Sequence, residues 1–339
     1  MGIRGLNTCI LRTAPDSIKT VSWKSFENKL VGIDITCFLY RAIASRLAPI
    51  DIIAAQIANL KKLKITPFYV FDGKPPSAKD GVVSKRRTDR NDALEICKRL
   101  KAELESTTDL LTREKLCIKI RNIEENNPVL THEIKDEVKR FLYATGTRFV
   151  TATSESDSLL AYMFKRSMID AVISFDLDFI ARGALLIVPK NIETNVGETW
   201  YIYDPILIRK ALRLSETKFI QFCILIGSDY TPELTIVPWK TALNSLLANQ
   251  SVAEIWSRHT FSNWRRSDSQ IGLVTDLDSL NKAFDIISGI NDTAENLLSQ
   301  EHWEKFLIAG HFESDELTSM KEKYTHWDSC WWDTFIGVT

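Results

Sequence analysis

Residues 30–40, LVGIDITCFLY, carry the decision about the fold. A short apolar run without alternation ends on one carboxylate, Asp34, and the chain then continues with apolar residues at helical spacing. A strand buried on both faces lacks the alternation of a half-exposed one, so such a run reads as an interior strand of a parallel sheet. The pattern recurs outward from there. A helical stretch from Ile52 to Leu63 leads to PFYVFD at 67–72, and RFVTA at 148–152, AVISF at 171–175 and ALLIVP at 184–189 follow with helical patterns between them. Strand and helix in alternation predict an α/β fold, a mostly parallel central sheet flanked by helices.

The rhythm breaks between about residues 77 and 127, where the sequence is long, rich in Lys, Arg and Glu and weakly amphipathic. That stretch predicts a helical insertion standing off the sheet. After Trp200 no further strand is expected, and from Pro205 the pattern is helical, punctuated by Gly227, Pro232, Pro238 and Gly289. Two regions follow: an α/β core over 1–204 and a helical half over 205–339. The last forty residues hold Trp303, Trp327, Trp331 and Trp332, which read as a terminal helix packed on the core in preference to a partner-binding patch.

Of 339 residues 45% are apolar, enough to bury a sizeable core. The six cysteines are scattered, without CxxC pairs or the density of a secreted scaffold, which predicts a reduced, intracellular protein. No run approaches a membrane span, and MGIRGLNTC lacks a signal core, so neither a membrane partner nor a cleaved leader is expected. A net charge of −1 argues against a generic polyanion binder. Locally the balance differs: from Lys74 to Lys101 nine Lys and Arg stand against four acids.

The chemistry lies in carboxylates placed where strands end: Asp34, Asp72, Glu155 with Asp157, and Asp176 with Asp178. Ligands of open parallel sheets collect at the carboxyl ends of strands, so these acids should converge on one rim, with Asp229 of LIGSDY able to reach it from the helical half. Any one of them alone reads more readily as a helix cap or turn residue. As a set, seven crowded carboxylates repel one another unless cations compensate them. Oxygen ligands without nearby His or Cys select Mg²⁺ or Mn²⁺. Two such ions about 3.5–4 Å apart can activate a water and stabilise the leaving oxygen of a phosphodiester.

In order and spacing, MGIRGL, VGIDITCFLY, PFYVFDGKPP, TSESDSLLA, ISFDLDFIARG and LIGSDY resemble the blocks of the flap endonuclease and XPG (Rad2-like) nucleases over about residues 1–245. The resemblance implies a PIN-like, resolvase-like core with an N-terminal region over about 1–100, a helical arch over about 77–127, an internal region over about 140–204, and a helix-hairpin-helix over about 219–249. It implies two Mg²⁺ ions, replaceable by Mn²⁺: Asp34, Asp72, Glu155 and Asp157 serve one, Asp176, Asp178 and Asp229 the second, with Asp157 bridging. Relatives with strict flap activity usually carry Glu at the Asp157 position, whereas exonuclease-type relatives look like this chain.

Lys79, Arg86 and Arg90 are spaced to project from one helix face as a phosphate-contacting ridge, with Arg87 beside them. Solvated mixed charge is the plainer reading of that segment. The resemblance makes Lys79 and Arg86 the arch residues that steer the scissile phosphate, and Tyr40 the ring that stacks on a base. It likens Gly2 to the glycine that lets the chain terminus approach the site. The hairpin departs from the pattern, with Thr235 and Val237 where glycines would stand, which puts duplex gripping and a bound K⁺ in doubt and leaves Lys240 as a phosphate contact. No sliding-clamp motif is present.

The expected activity is a Mg²⁺-dependent structure-specific 5′ nuclease, a monomer acting on branched or single-strand-tailed DNA in replication, repair or recombination. A 5′→3′ exonuclease of the same family and a catalytically silent DNA-binding scaffold remain the alternatives. An intracellular location is expected, with the nucleus and a viral replication site as the two options.

Overall fold

The computed structural model describes residues 2–190, 199–231, 236–264, 276–293 and 297. The first two thirds alternate as expected: α1 (Leu6–Thr13), β1 (Ile18–Ser22), β2 (Leu30–Asp34), α2 (Ile35–Ala44), α3 (Pro49–Lys62), β3 (Thr66–Phe71), α4 (Asp80–Ser106), α5 (Leu110–Asn126), α6 (His132–Ala144), β4 (Phe149–Thr151), α7 (Ser156–Lys165), β5 (Ala171–Ile173), α8 (Asp178–Ala181), β6 (Leu186–Val188) and β7 (Thr199–Tyr203). Helices then follow: α9 (Pro205–Leu212), α10 (Glu216–Ile226), α11 (Trp239–Leu247), α12 (Val252–Trp264) and α13 (Asp276–Ser288). The tryptophans Trp303, Trp327, Trp331 and Trp332 lie outside the described residues.

The strands form one sheet in the order β1-β7-β6-β5-β2-β3-β4. From β6 to β4 every neighbouring pair is parallel. At the other edge β7 runs antiparallel to both β6 and β1. These last two strands correct the sequence reading, which placed no strand over 18–22 and ended the strands at Trp200. Both are one-sided: along β7 Trp200 and Ile202 are buried while Tyr201 is exposed, and along β1 Lys19 and Thr20 face solvent. Neither carries the unbroken apolar run by which the interior strands were found.

Each interior strand feeds two cores. Val31 and Ile33 of β2, with Tyr69 and Phe71 of β3, pack on the face covered by α2, α3 and α6. Phe68, Val70, Val172 and Leu186 pack on the face that holds α1, α7, α8 and the later helices. Gly32 lies between Val31 and Ile33, and a Cβ there would stand 2.4 Å from Leu160 Cδ2 and 2.7 Å from Ile169 Cδ1. The missing side chain lets α7 rest directly on β2, bringing the start of α7 to the end of that strand.

The charged segment forms the expected projecting hairpin, α4 and α5, in which only Cys97, Leu116 and Ile120 are buried. So little burial stabilises the hairpin weakly, and its ends are closed by polar groups instead. Asp109 accepts from the backbone N–H of Thr112 to start α5. Arg113 donates to the carbonyls of Leu104 and Thr107 at the end of α4. At its base Arg46 of the body pairs with Glu124 at 2.6 Å.

Candidate metal centre and nucleic-acid interface

Because β5, β2, β3 and β4 are adjacent and parallel, their carboxyl ends share one rim. Asp34 is the last residue of β2, and Asp72 follows β3. Glu155 and Asp157 stand at the start of α7 beyond β4, Asp176 lies in the turn beyond β5, and Asp178 opens α8. Asp229 arrives from the loop after α10. The seven expected acids thus come from five separate segments of chain.

Hydrogen bonds knit them together. Ser156 donates its backbone N–H to Asp72 Oδ1 at 2.8 Å and its hydroxyl to Asp34 Oδ1 at 3.2 Å. The Ser174 hydroxyl donates to Asp34 Oδ2 at 3.0 Å. On the other flank the Asp178 N–H donates to Asp176 Oδ1 at 3.1 Å, and the N–H of Ile3 to Asp178 Oδ1 at 2.8 Å. The segment ahead of α1 is thereby drawn into the site. Gly2 has φ +93°, and a Cβ on it would lie 2.4 Å from Asp176 Oδ1 and 2.7 Å from Asp178 Oδ1, a close approach open only to glycine.

Crowding and burial raise the proton affinity of the cluster. Burial, then the neighbouring charges of Asp72, Asp176 and Asp157, push Asp34 up to about 8, against the hydrogen bond from Ser174. Burial and the charges of Asp176 and Asp157 hold Asp178 well above the ordinary carboxylate range, and Asp176 moves the same way through burial and Asp157. Glu155 is raised by burial and Asp157, with Lys79 opposing. These groups answer one another electrostatically across the rim, and their common direction is an unmet demand for positive charge.

Three cations meet part of it. Lys79, buried at the foot of α4, places Nζ 2.6 Å from Glu155 Oε1 and 3.8 Å from Asp229 Oδ2. Arg86, about two turns further along α4, donates to both oxygens of Asp229 at 2.8 Å. Arg182 pairs with Asp157 Oδ2 at 3.0 Å. With these acids drawn onto Lys and Arg, no three His, Cys, Asp or Glu side chains among the described residues stand in a ready-made ligand shell. The donor set is all oxygen, and four of its members are still shifted toward the protonated form. Such a set suits a hard divalent cation, and the Cys37 thiol beside it is engaged with the Asp34 carbonyl and Ser174 and is held protonated by burial and the charge of Asp34.

The expected ridge is divided. Lys79 and Arg86 turn inward to the acids, Arg90 is half-buried further along α4, and Arg87 is exposed. Tyr40 is half-buried on α2, the helix that begins directly after Asp34, and Arg41 next to it stacks over Phe175 at 3.6 Å. Lys240 is exposed near the start of α11, 5.6 Å from the Trp239 ring. Val237 is buried, donates its N–H to Leu225 O at 2.7 Å and does not have positive φ; Thr235 lies outside the described residues.

Sequence reasoning passed over Arg182, Tyr230, Ser156 and Ser174. The signal for Arg182 was available: it is the one charge between Phe179 and Val188, a run that is otherwise apolar apart from Gly183. Tyr230 follows an acid already singled out. The two serines give no sign in sequence of their hydrogen bonds to Asp34.

The family model of the XPG N-terminal domain matches residues 1–93, and that of the XPG I-region matches residues 146–229, together more than half of the chain. Flap endonuclease 1 of Mus musculus is 26% identical over 80% of this chain and 74% of its own, and that of Entamoeba dispar 27% identical over 75% and 69%. Among solved structures, the catalytic core of Rad2 in complex with DNA substrate superposes with TM-score 0.65 at 20% identity, covering 97% of this chain and 98% of that one. Flap endonuclease-1 from Methanococcus jannaschii follows with TM-score 0.55 at 19% identity, covering 95% and 97%. Human GEN1 in complex with Holliday junction DNA gives 0.54 at 14%, covering 96% and 74%. At these identities the structural likeness speaks to the fold.

Proposed function

The chain belongs to the XPG family, and from that premise we propose that it is a divalent-metal-dependent, structure-specific 5′ nuclease that hydrolyses DNA phosphodiesters where single strand meets duplex. The observation that carries the reading is the gathering of acids from five segments on one rim, with Lys79 and Arg86 of the projecting hairpin reaching into them. A scaffold that only bound DNA would have little use for carboxylates held so far from their ordinary proton affinity.

Asp34, Asp72, Glu155 and Asp157 would hold one ion and Asp176, Asp178 and Asp229 the other, Mg²⁺ or Mn²⁺ in each case. When bound, such ions supply a nucleophilic water and stabilise the leaving oxygen of the phosphodiester. The chain's own groups do the rest. Lys79 and Arg86 exchange their carboxylate partners for the scissile phosphate and neutralise the charge that grows on it. Tyr40 stacks on a base, and Arg87, Arg90 and Lys240 contact backbone phosphates without reading sequence. Residues 1–204 act as the catalytic core, 77–127 as its arch, and the described helices α9 to α13 as the duplex-facing half. Among the described residues no helix is long and apolar enough to cross a membrane.

Incubation with Mg²⁺ and labelled 5′-flap, nicked, four-way and single-stranded DNA tests the reading. Release of a whole flap is expected. Mononucleotide products would assign the chain to the exonuclease branch, and an intact flap in the presence of folded protein would overturn nuclease activity altogether.

A further inference from the structure

The buried guanidinium of Arg182 touches three parts of the molecule at once. Its Nε donates to Asp157 Oδ2 at 3.0 Å, its Nη2 to the Tyr230 hydroxyl at 2.8 Å, and its Nη1 to the backbone carbonyl of Ile286 in α13 at 2.9 Å. Tyr230 in turn donates its hydroxyl to Glu155 Oε2. One planar fork therefore fixes Asp157 directly and Glu155 through a phenol, while resting on a carbonyl from the C-terminal helical half.

Arg182 is 3% exposed and all three of its nitrogens are engaged within the protein, so its partners are the protein's own groups. Neutralising the acid cluster would require only a charge. The arrangement is more demanding: all three donor nitrogens are aimed, each at an acceptor on a different element, as the rigid guanidinium allows and a lysine does not. The other oxygen of Asp157 accepts the Ser158 N–H at 2.7 Å, so the carboxylate is held from both sides. The short Asp157 side chain has little reach with which to correct a misplaced backbone.

We infer that Arg182, relayed by Tyr230, is a positioning residue that orients Asp157 and Glu155 for a divalent cation and makes that orientation depend on the docking of α13. This rests on the metal-dependent reading of the site proposed above. Partners behind metal ligands typically govern affinity by about 10–100-fold.

Two charge-conserving variants separate orientation from neutralisation. Arg182→Lys keeps the charge and loses the fork, and Tyr230→Phe keeps the ring and every charge and loses only the relay to Glu155. Mn²⁺ binding to the DNA-free protein, followed by titration calorimetry and by the electron paramagnetic resonance signal of free Mn²⁺, should weaken about tenfold or more in each, with circular dichroism like that of the parent. Parental Mn²⁺ affinity in both folded variants overturns the inference. Should Arg182→Lys fail to fold, Tyr230→Phe alone decides, and parental affinity there overturns it equally. Failure of the unmodified protein to bind Mn²⁺ would instead sink the metal-dependent reading, so the two failures are told apart.

Discussion

The ammonium nitrogen of Lys79, at the foot of the arch, stands 2.6 Å from Oε1 of Glu155. Burial lowers the proton affinity of this lysine, but the charges of Asp157, Glu155 and Asp229 outweigh it and keep the group protonated. On the proposed function it is a positive charge held beside the place where the scissile phosphate would arrive. Lys79→Ala should slow flap cleavage about 10²–10³-fold, chiefly in kcat, because the charge is needed most in the transition state. Single-turnover kinetics at saturating enzyme measures this. A change confined to KM would make Lys79 a binding residue only.

Asp178 is buried and Asp176 half-buried among like charges, and a backbone hydrogen bond joins them. The double substitution Asp176→Ala with Asp178→Ala should reduce cleavage by at least about 10³-fold while leaving binding to flap DNA within a few-fold. Gel-shift and cleavage assays on one preparation check both halves. Retained cleavage would remove these residues from the catalytic set.

The metal-free protein should lose stability as pH rises. Asp34 is pushed up to about 8 in the folded chain, and Asp176 and Asp178 move in the same direction. The folded state thus holds protons that the unfolded chain has released. The associated stability is fully present below the unfolded carboxylate range, about pH 4, and is lost as pH climbs through about 8. In a chelator the melting temperature should fall between about pH 5 and about pH 8.5, and Mg²⁺ or Mn²⁺ should restore it most at the upper end. A flat profile without metal, or equal metal stabilisation at both ends, would contradict the electrostatic account.

Gly2 combines φ +93° with a Cβ position 2.4 Å from Asp176 Oδ1. Gly2→Ala must displace either the chain end or the carboxylate, and we expect about 10²-fold slower cleavage with an unchanged far-ultraviolet spectrum. Parental rates would mean that the terminus is not part of the working site.

Much of this was legible in sequence because its physics is local. An apolar run ended by a carboxylate, as at Ile33–Asp34 and Phe71–Asp72, declares an interior strand and its active end together. The one-sided strands β1 and β7 escaped because Lys19, Thr20 and Tyr201 dilute the apolar signal. Arg182 and Tyr230 escaped for another reason: their value comes from meeting Asp157, Glu155 and Ile286, residues far apart in the chain, and nothing in their own neighbourhoods sets that geometry. The ridge of Lys79, Arg86 and Arg90 was placed by helical spacing, yet the inward turn of its first two members is decided by Glu155 and Asp229.

The central claim is that these carboxylates collect divalent ions, and anomalous diffraction from crystals soaked in Mn²⁺ tests it most directly. The account predicts Mn²⁺ density among the seven acids, one peak against Asp34, Asp72, Glu155 and Asp157 and the other against Asp176, Asp178 and Asp229, with Lys79 withdrawn from Glu155. Well-ordered crystals at millimolar Mn²⁺ with no anomalous peak among the seven acids would contradict it.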